Sequence, residues 1–277
     1  MNQEKQKEMK DMSKPENRYQ AIKWHRRGRV LTLEMCRPES FNAVDEILHE
    51  ELSRVFRDAD ADPHSDVIIF TGNGQAFCAG GDVSWMQRAI DEPETFERTV
   101  TEAKQIVFSI LDCEKPVICR INGHAMGLGC TMALFCDVTF MNETVKIGDP
   151  HVLMGMVAGD GAAVIWPALI GMAKAKEYLM TGDPLTAKEA LDLGLINHVC
   201  APDELDDTVK RFADRLANGP VKSIKWTKVS LNIHLKQVAH SVMDACLAYE
   251  ALTNQSADHQ EAVTAFREKR APIYTGK

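Results

Sequence analysis

Two glycine-rich turns constrain this chain most, because each follows a stretch that is predicted to be a buried strand. Residues 77–82 read Phe-Cys-Ala-Gly-Gly-Asp and come shortly after the apolar stretch 67–71. Residues 122–129 read Asn-Gly-His-Ala-Met-Gly-Leu-Gly, follow the apolar stretch 116–121 and open a predicted helix. Small residues let backbone N–H groups approach a ligand, and a helix start leaves N–H groups unpaired. Together the turns predict an anion or oxyanion site, although each alone is also typical of a tight strand-to-helix turn.

Strand-like and helix-like stretches alternate along the first two thirds of the chain. The apolar patterns predict a hairpin from 19–23 and 30–35, a helix from residue 42, a strand at 138–140, and helices at 94–111 and 129–136. Such alternation is typical of an α/β fold with parallel strands.

The pattern becomes almost entirely helical from residue 162 onward. Helices are predicted at 162–170, 173–180, 187–193, 205–216, 221–252 and 260–269, with one strand-like stretch at 196–199. We therefore expect a flexible tail at residues 1–17, an α/β core at 18–200 and a helical region at 201–277.

Composition excludes several classes of protein. The chain has 277 residues with 32 Lys and Arg against 40 Asp and Glu, a net charge of −8, which gives no general attraction to nucleic acid or to an anionic membrane. Its 8 cysteines form no CxxC pair and several lie in apolar runs, which favours reduced core thiols in a cytoplasmic protein. We find no signal peptide, no membrane span and no clustered histidine motif, so a metal is not expected.

The two turns, taken together with shorter motifs in the same order, resemble the crotonase superfamily, also called the enoyl-CoA hydratase/isomerase family. The likeness covers nearly the whole chain after the tail, at residues 41–43, 71–72, 76–82, 115–117, 122–129, 136–137, 181–183, 187–190, 194–196 and 266–272. It implies an α/β fold of the ClpP/crotonase-like type, a spiral of ββα units. It also implies a C-terminal helical region that builds homotrimers, and often hexamers made of two trimers.

The resemblance further implies an acyl-CoA thioester as substrate, with coenzyme A entering only as part of that substrate and no separate cofactor. The N–H groups of Ala79 and Leu128 are expected to bind the thioester oxygen and to stabilise an enolate, a type of contact that contributes about a hundred- to a thousandfold in rate. Leu128 stands where a glycine is usual. The neighbouring residues Cys78, Gly80, Gly81, Asp82 and Gly127 are expected to belong to the substrate site.

The chain departs from the family's hydratases at the two glutamates that hold and activate water. Thr131 and His151 stand in their places. A neutral threonine is not a general base near pH 7, whereas an unperturbed imidazole titrates near about 6.5 and suits that task. Asp160 follows in the sequence Ala-Gly-Asp-Gly, and a carboxylate accepting from one ring nitrogen would orient His151 and leave the other nitrogen for water or substrate.

The spacing of His151 and Asp160 is similar to that in 6-oxocamphor hydrolase, a superfamily member that cleaves a carbon–carbon bond of a β-diketone, and His49 falls on a histidine position of that enzyme. The glycine turn at 79–82 and the C-terminal stretch 266–272 instead resemble those of CoA-thioester enzymes, where basic residues such as Lys269 approach the CoA phosphates. Each candidate also has a plainer interpretation: Asp160 and Asp82 as helix caps, His49 as a packing residue, Thr131 as a helix-start residue and Lys269 as a solvated helix end.

The sequence thus predicts an enoyl-CoA hydratase/isomerase-family enzyme in which His151, supported by Asp160, replaces the two glutamates as acid and base. The first alternative is a hydrolase that performs a retro-Claisen cleavage of a β-diketone or a cyclic β-ketoacyl-CoA. The second is an acyl-CoA-binding protein without catalytic activity.

Overall fold

The computed structural model describes residues 15–277, and residues 1–14 of the predicted tail lie outside the described residues. Its larger sheet has six strands in the order β1-β2-β3-β5-β7-β10. The first two strands form the predicted antiparallel hairpin and the others run parallel. The six strands are β1 (Ile22–Arg27), β2 (Val30–Met35), β3 (Val67–Gly72), β5 (Val117–Ile121), β7 (Val138–Asn142) and β10 (His198–Cys200).

A second sheet of four short strands lies beside the first, in the order β4-β6-β8-β9. Three of them are parallel and β9 runs antiparallel to β8. They are β4 (Ala76–Cys78), β6 (His124–Met126), β8 (Lys146–Gly148) and β9 (Leu185–Thr186). The sequence patterns did not predict these strands, because two or three residues are too few to show an alternation of apolar and polar positions.

The chain repeats one path: a strand in the large sheet, a short strand in the small sheet, then a helix. This is the predicted spiral of ββα units, with a C-terminal helical region. The helices are α1 (Glu46–Asp60), α2 (Val83–Asp91), α3 (Pro93–Asp112), α4 (Leu128–Phe135), α5 (Ala162–Thr181), α6 (Ala187–Asp192), α7 (Leu205–Ala217), α8 (Val221–Asn254) and α9 (Ala257–Glu268).

One helix was not predicted from the sequence. Helix α2 is short, and only Ala89 among its residues is buried. The helices predicted at 162–170 and 173–180 are present as the two parts of α5, which is broken at Gly171, where φ is 76° and ψ is 159°. Pro167 lies inside the first part.

Three phenylalanine rings join the two sheets to helix α1. Phe70 of β3 packs edge-on against Phe56 of α1 at 5.1 Å and against Phe77 of β4 at 5.5 Å between ring centroids. All three side chains are fully buried, and aromatic pairs in this geometry contribute about 0.5–1.5 kcal/mol beyond the area they bury. The small sheet is therefore held firmly against the large one.

All eight cysteines are free thiols and six of them are buried. Burial raises the pKa of the Cys78 thiol to about 12, which makes it a packing group rather than a nucleophile. Within residues 15–277, no helix is both long enough and apolar enough to cross a membrane.

Helix α8, 34 residues long, crosses the molecule and is fastened to the core by a buried lysine. The Nζ of Lys228 donates to Asp137 Oδ2 at 2.8 Å and to the backbone oxygen of Lys115 at 2.8 Å. Burial raises the pKa of Asp137, although the nearby Lys228 ammonium favours its charged form. Asp137 also accepts from Val117 N, at the start of β5, so the contact joins α8 to the central sheet.

We expect Lys228→Met to lower the free energy of unfolding by about 3 kcal/mol, because the change leaves the Asp137 carboxylate buried without its cation. Urea denaturation measures this loss. Adding Asp137→Asn to the same chain should restore most of it, since an amide keeps an acceptor for Val117 N. Equal stability of the Lys228→Met variant and the parent protein would contradict this account of how α8 is anchored.

Candidate active site

The two glycine-rich turns meet at one edge of the small sheet. Residues 79–82 follow β4 and residues 127–129 follow β6, and because these two strands are parallel neighbours, their carboxyl ends lie side by side. Gly80 has φ +92°, and a β-carbon on it would lie 3.3 Å from the backbone oxygen of Met126. Gly127 has φ +53°, and its β-carbon would lie 3.7 Å from Gly80 Cα. Both positions favour glycine, which explains why the turns can touch.

The backbone hydrogen bonds of the first turn distinguish its N–H groups. The N–H of Ala79, predicted to bind the thioester oxygen, donates to the backbone oxygen of Phe41 at 3.1 Å. Val44 N donates to Gly80 O at 2.7 Å and Asp82 N donates to Val44 O at 2.9 Å. In such a parallel bridge the intervening N–H, that of Gly81, points away from Val44. The Gly81 N–H has no acceptor among residues 15–277, so it is a second candidate donor of this turn beside Ala79.

The second turn presents its donor at the start of a helix. Leu128 is the first residue of α4 and Gly127 is its N-cap, with the N–H of Thr131 closing the first helical turn on Gly127 O at 3.0 Å. The Leu128 N–H has no acceptor among the described residues, as is usual for the first N–H groups of a helix. We call the N–H groups of Gly81 and Leu128 the N–H pair.

A cavity of about 270 Å³ opens in front of both turns. It brings together eight of the residues predicted for the site: His49, Ala79, Gly80, Gly81, Gly127, Leu128, His151 and Asp160. The rest of its lining is mostly apolar and includes Trp85 and Met86. The cavity thus holds the N–H pair and the predicted acid–base residues in one space.

Four predicted substrate-binding residues do not line this cavity. Cys78 is buried beneath α4, where a β-carbon on Gly129 would lie 2.6 Å from its own β-carbon. Asp82 caps helix α2, accepting from Ser84 N at 2.9 Å and Trp85 N at 3.3 Å. Thr131 is buried and donates to Asp160 Oδ1 at 3.1 Å. Lys269 is exposed at the end of α9.

His151 lies between two carboxylates. Its Nδ1 contacts Asp149 Oδ1 at 2.5 Å, and its Nε2 faces Asp160 Oδ2 at 3.6 Å. The predicted pairing with Asp160 is thus the longer contact, and the tight partner is Asp149. Asp149 stands two residues before His151 and was not singled out, although a carboxylate so close in sequence is a recognisable signal for a hydrogen-bonded turn. The ring lies over the second turn, since its Cε1 would be 3.6 Å from a β-carbon on Gly127.

Glu250 adds a second carboxyl group to the lining of the cavity, beside that of Asp160, and comes from helix α8, far along the chain. It is buried, and its Oε2 has no hydrogen-bond partner among the described residues. Burial, together with the negative charge of Asp160, raises its pKa to about 8. Nothing in the local sequence marks this residue, because it occupies an ordinary position in a helical pattern. Asp149, His151, Asp160 and Glu250 form what we call the proton cluster.

The charges of the proton cluster set the protonation of His151. Burial alone would lower the pKa of the imidazole, but the carboxylates of Asp149 and Asp160 outweigh burial and raise that pKa well above its usual value. Burial raises the pKa of Asp160, while the His151 ring opposes the shift. In the ligand-free site the imidazole therefore carries a proton at neutral pH, and Asp160 is a stronger base than an ordinary carboxylate.

Three members of this cluster also have donor atoms close enough to surround a metal ion. One atom each from Asp149, His151 and Asp160 lies within 4.8 Å of the others. However, the 2.5 Å contact between Asp149 and the ring is a hydrogen bond that places a proton where a metal would compete. We therefore interpret the cluster as a proton-transfer group.

Comparisons with known proteins identify the family of the chain. The family model described as "Enoyl-CoA hydratase/isomerase" matches residues 25–277. The chain belongs to the enoyl-CoA hydratase/isomerase family. Among curated proteins it is 31% identical over 265 residues to a crotonyl-CoA hydratase of Syntrophomonas wolfei, covering 94% of this chain and 99% of that protein. As a family member it is a lyase- or isomerase-type enzyme of acyl-CoA chemistry.

Solved structures extend the comparison. An enoyl-CoA hydratase/isomerase from Mycobacterium paratuberculosis superposes with a TM-score of 0.83 at 32% identity, covering 88% of this chain and 97% of that one. A β-diketone hydrolase from the cyanobacterium Anabaena, bound to (S)-3-oxocyclohexyl acetic acid, superposes with a TM-score of 0.81 at 29% identity, covering 88% and 98%. Proteins that share this fold thus include an enoyl-CoA hydratase/isomerase and a β-diketone hydrolase.

The raised pKa of Glu250 predicts how stability depends on pH. A carboxyl with a raised pKa holds its proton more tightly in the folded chain than in the unfolded one, so folding stability falls as pH rises through the interval between the two pKa values. For Glu250 this interval runs from 4.5 to about 8. We expect Glu250→Gln, which cannot ionise, to become progressively more stable than the parent protein as pH rises from about 5 to about 8.

Urea denaturation at a series of pH values measures this difference. Glu261→Gln is the matched control, because ion pairing with Arg270 and a backbone hydrogen bond hold the Glu261 pKa at about 2, below the range scanned. Its stability relative to the parent should be independent of pH over that range. A flat profile for Glu250→Gln as well would show that Glu250 ionises normally.

Proposed function

We propose that this enzyme performs acid–base chemistry on an acyl-CoA thioester, with the N–H pair holding the thioester oxygen and the proton cluster moving protons. The observation that supports the proposal is the shared cavity, which is lined by Gly81 and Leu128 as well as by His151 and Asp160. Coenzyme A enters as part of the substrate. The exposed Lys269 is a candidate contact for its phosphates.

The N–H pair supplies electrostatic stabilisation. When the carbon next to a thioester carbonyl gains electron density, negative charge accumulates on the carbonyl oxygen. Two fixed backbone donors at that oxygen stabilise the enolate without rearranging, and each such donor typically contributes about a hundred- to a thousandfold in rate.

The proton cluster supplies the acid and the base for hydration of a 2-enoyl thioester. Asp160, whose pKa is raised by burial, accepts a proton from water as the water oxygen bonds to the β-carbon. The electrons of the double bond move to the thioester oxygen, and the protonated ring of His151 then gives a proton to the α-carbon. Water is thereby added across the double bond, and transfer of the Asp160 proton to the ring restores the starting charges. Asp149 keeps the ring oriented throughout.

A carbon–carbon hydrolase is the second candidate, favoured by the β-diketone hydrolase among the structural neighbours. In that reaction the proton cluster activates water, which attacks a β-carbonyl carbon. The bond between that carbon and the α-carbon then breaks, and the electrons form an enolate that the N–H pair stabilises. Protonation of the α-carbon by His151 completes the cleavage.

We also propose that residues 201–277 form the contact surface of a homotrimer, or of a hexamer made of two trimers, while residues 18–200 form the catalytic core. The support is a set of large apolar side chains on α8 that are exposed in the single chain. Trp226 is 55% exposed, Leu231 72% and Leu252 70%. Surfaces of this kind commonly mark protein contacts.

Gly81→Pro tests the N–H pair, because proline removes the N–H that faces away from Val44 without taking a donor from the bridge. We expect kcat/KM to fall by about a hundred- to a thousandfold. Gly81→Ala retains the N–H and is the matched control, since the added methyl meets only the flexible Met86 side chain. Equal losses in the two variants would mean that the Gly81 N–H is not the donor.

His151→Ala tests the proton cluster. Offered a panel of 2-enoyl-CoA and cyclic β-ketoacyl-CoA thioesters, the parent protein should convert at least one, and mass spectrometry distinguishes addition of water from ring opening. We expect the variant to lose about a hundred- to ten-thousandfold in kcat. His64→Ala, at an exposed position, is the control. Binding of CoA thioesters without any turnover would identify a non-catalytic binding protein, and turnover independent of His151 would exclude the proposed acid.

A further inference from the structure

We propose that His49 recognises an oxygen atom on the distal part of the acyl group, so that the preferred substrate is an acyl-CoA whose chain or ring carries a hydroxyl or a ketone. The inference names the substrate class of the proposed site and therefore rests on the proposed function. It depends on a second buried polar group in the cavity, separate from the proton cluster.

The His49 ring is held in one orientation by its neighbours. It lies on α1, and its Nδ1 contacts Glu102 Oε2 of α3 at 2.7 Å. Glu102 in turn accepts from Arg98 at 2.6 Å. Burial disfavours the charged form of Glu102, but the hydrogen bonds from His49 and Arg98 prevail and lower its pKa. Because Glu102 is an acceptor, the proton on this side of the ring belongs to Nδ1.

We place the other ring nitrogen, Nε2, toward the cavity, because Nδ1 is turned to Glu102 and the residue lines the cavity. His49 is only 2% exposed yet lines the cavity. No hydrogen bond or ion pair within residues 15–277 involves its Nε2. The ring also packs against Trp85 at 5.2 Å between centroids, which fixes its plane.

The contact with Glu102 accounts for Nδ1 of His49 but not for Nε2, whose surroundings are mostly apolar. Helices α1, α2 and α3 line this part of the cavity, and its polar groups are His49, the Thr99 hydroxyl and the Trp85 indole; the others are Val83, Met86, Ala89, Phe96 and Ala103. The Thr99 hydroxyl already donates to Thr95 O at 3.4 Å. A plain hydrocarbon acyl chain would therefore cover Nε2 and leave it without a hydrogen bond.

A substrate oxygen removes that penalty. Nε2 accepts from a hydroxyl when the ring is neutral and donates to a ketone when the ring is protonated. Leaving a buried polar atom unpaired weakens binding by roughly ten- to a hundredfold, so the site should prefer an oxygenated acyl group over its hydrocarbon counterpart by a similar factor. Glu102 and Arg98 strengthen the preference because they stop the ring from turning Nε2 away.

Calorimetric titration with saturated medium-chain acyl-CoA thioesters tests the inference, because these ligands bind without being converted. The set pairs each plain acyl group with versions that carry a hydroxyl or a ketone on the distal part of the chain. We expect an oxygenated ligand to bind the parent protein roughly ten- to a hundredfold more tightly than its plain counterpart. His49→Phe should abolish this preference, and His49→Gln should retain part of it.

Two controls separate the possible outcomes. His64→Phe makes the same replacement at an exposed position and should keep the full preference. Glu102→Gln leaves His49 in place but loosens its ring, and should reduce the preference without removing it, even if His49→Phe folds poorly. If His49→Phe weakens the binding of plain and oxygenated ligands equally, His49 has a structural role and the inference is overturned. A parent protein that binds both kinds of ligand equally well would overturn it too. Turnover of plain 2-enoyl-CoA with no oxygen preference overturns this inference alone, whereas failure to bind any CoA thioester overturns the proposed function.

Discussion

The contact between the two glycine turns is the constraint on which the rest of the site depends. Gly80 and Gly127 both adopt a positive φ, and a β-carbon on Gly80 would lie 3.3 Å from the backbone oxygen of Met126, so glycine at these positions lets the carboxyl ends of β4 and β6 come together. Gly81 and Leu128 consequently line one cavity. The large sheet, the phenylalanine stack and helix α1 support the small sheet.

Much of this arrangement could be predicted from sequence, because the responsible signals are local. A glycine turn after an apolar strand is visible in a few residues, and the motif order around 77–82 and 122–129 identified the family fold. Which N–H of the first turn is left without a backbone acceptor could not be predicted. Ala79 and Gly81 are both small residues in one turn, and only the bridge to Val44 decides which N–H is paired.

For the proton cluster, too, contacts between distant parts of the chain limited what could be predicted from the sequence. His151 and Asp160 were predicted as a pair from their spacing, but the partner at hydrogen-bond distance is Asp149. Glu250 was missed because its importance comes from burial beside other carboxyl groups, which depends on how α8 packs. Burial raises the pKa of Asp160 and of Glu250, and the neighbouring carboxylates raise the pKa of His151, so the protonation of the cluster is a collective property that no single motif contains.

The position of Glu250 depends on how helix α8 packs against the core. Lys228 fastens one part of the helix to the central sheet. Glu250 lines the cavity further along the same helix, at a distance of about 33 Å for a rise of 1.5 Å per residue. A slip of one helical turn, about 5.4 Å, would carry that carboxyl out of the cluster while leaving both glycine turns intact. The seating of this long helix therefore decides whether Glu250 lies in the proton cluster, whereas the two glycine turns lie on other elements of the fold.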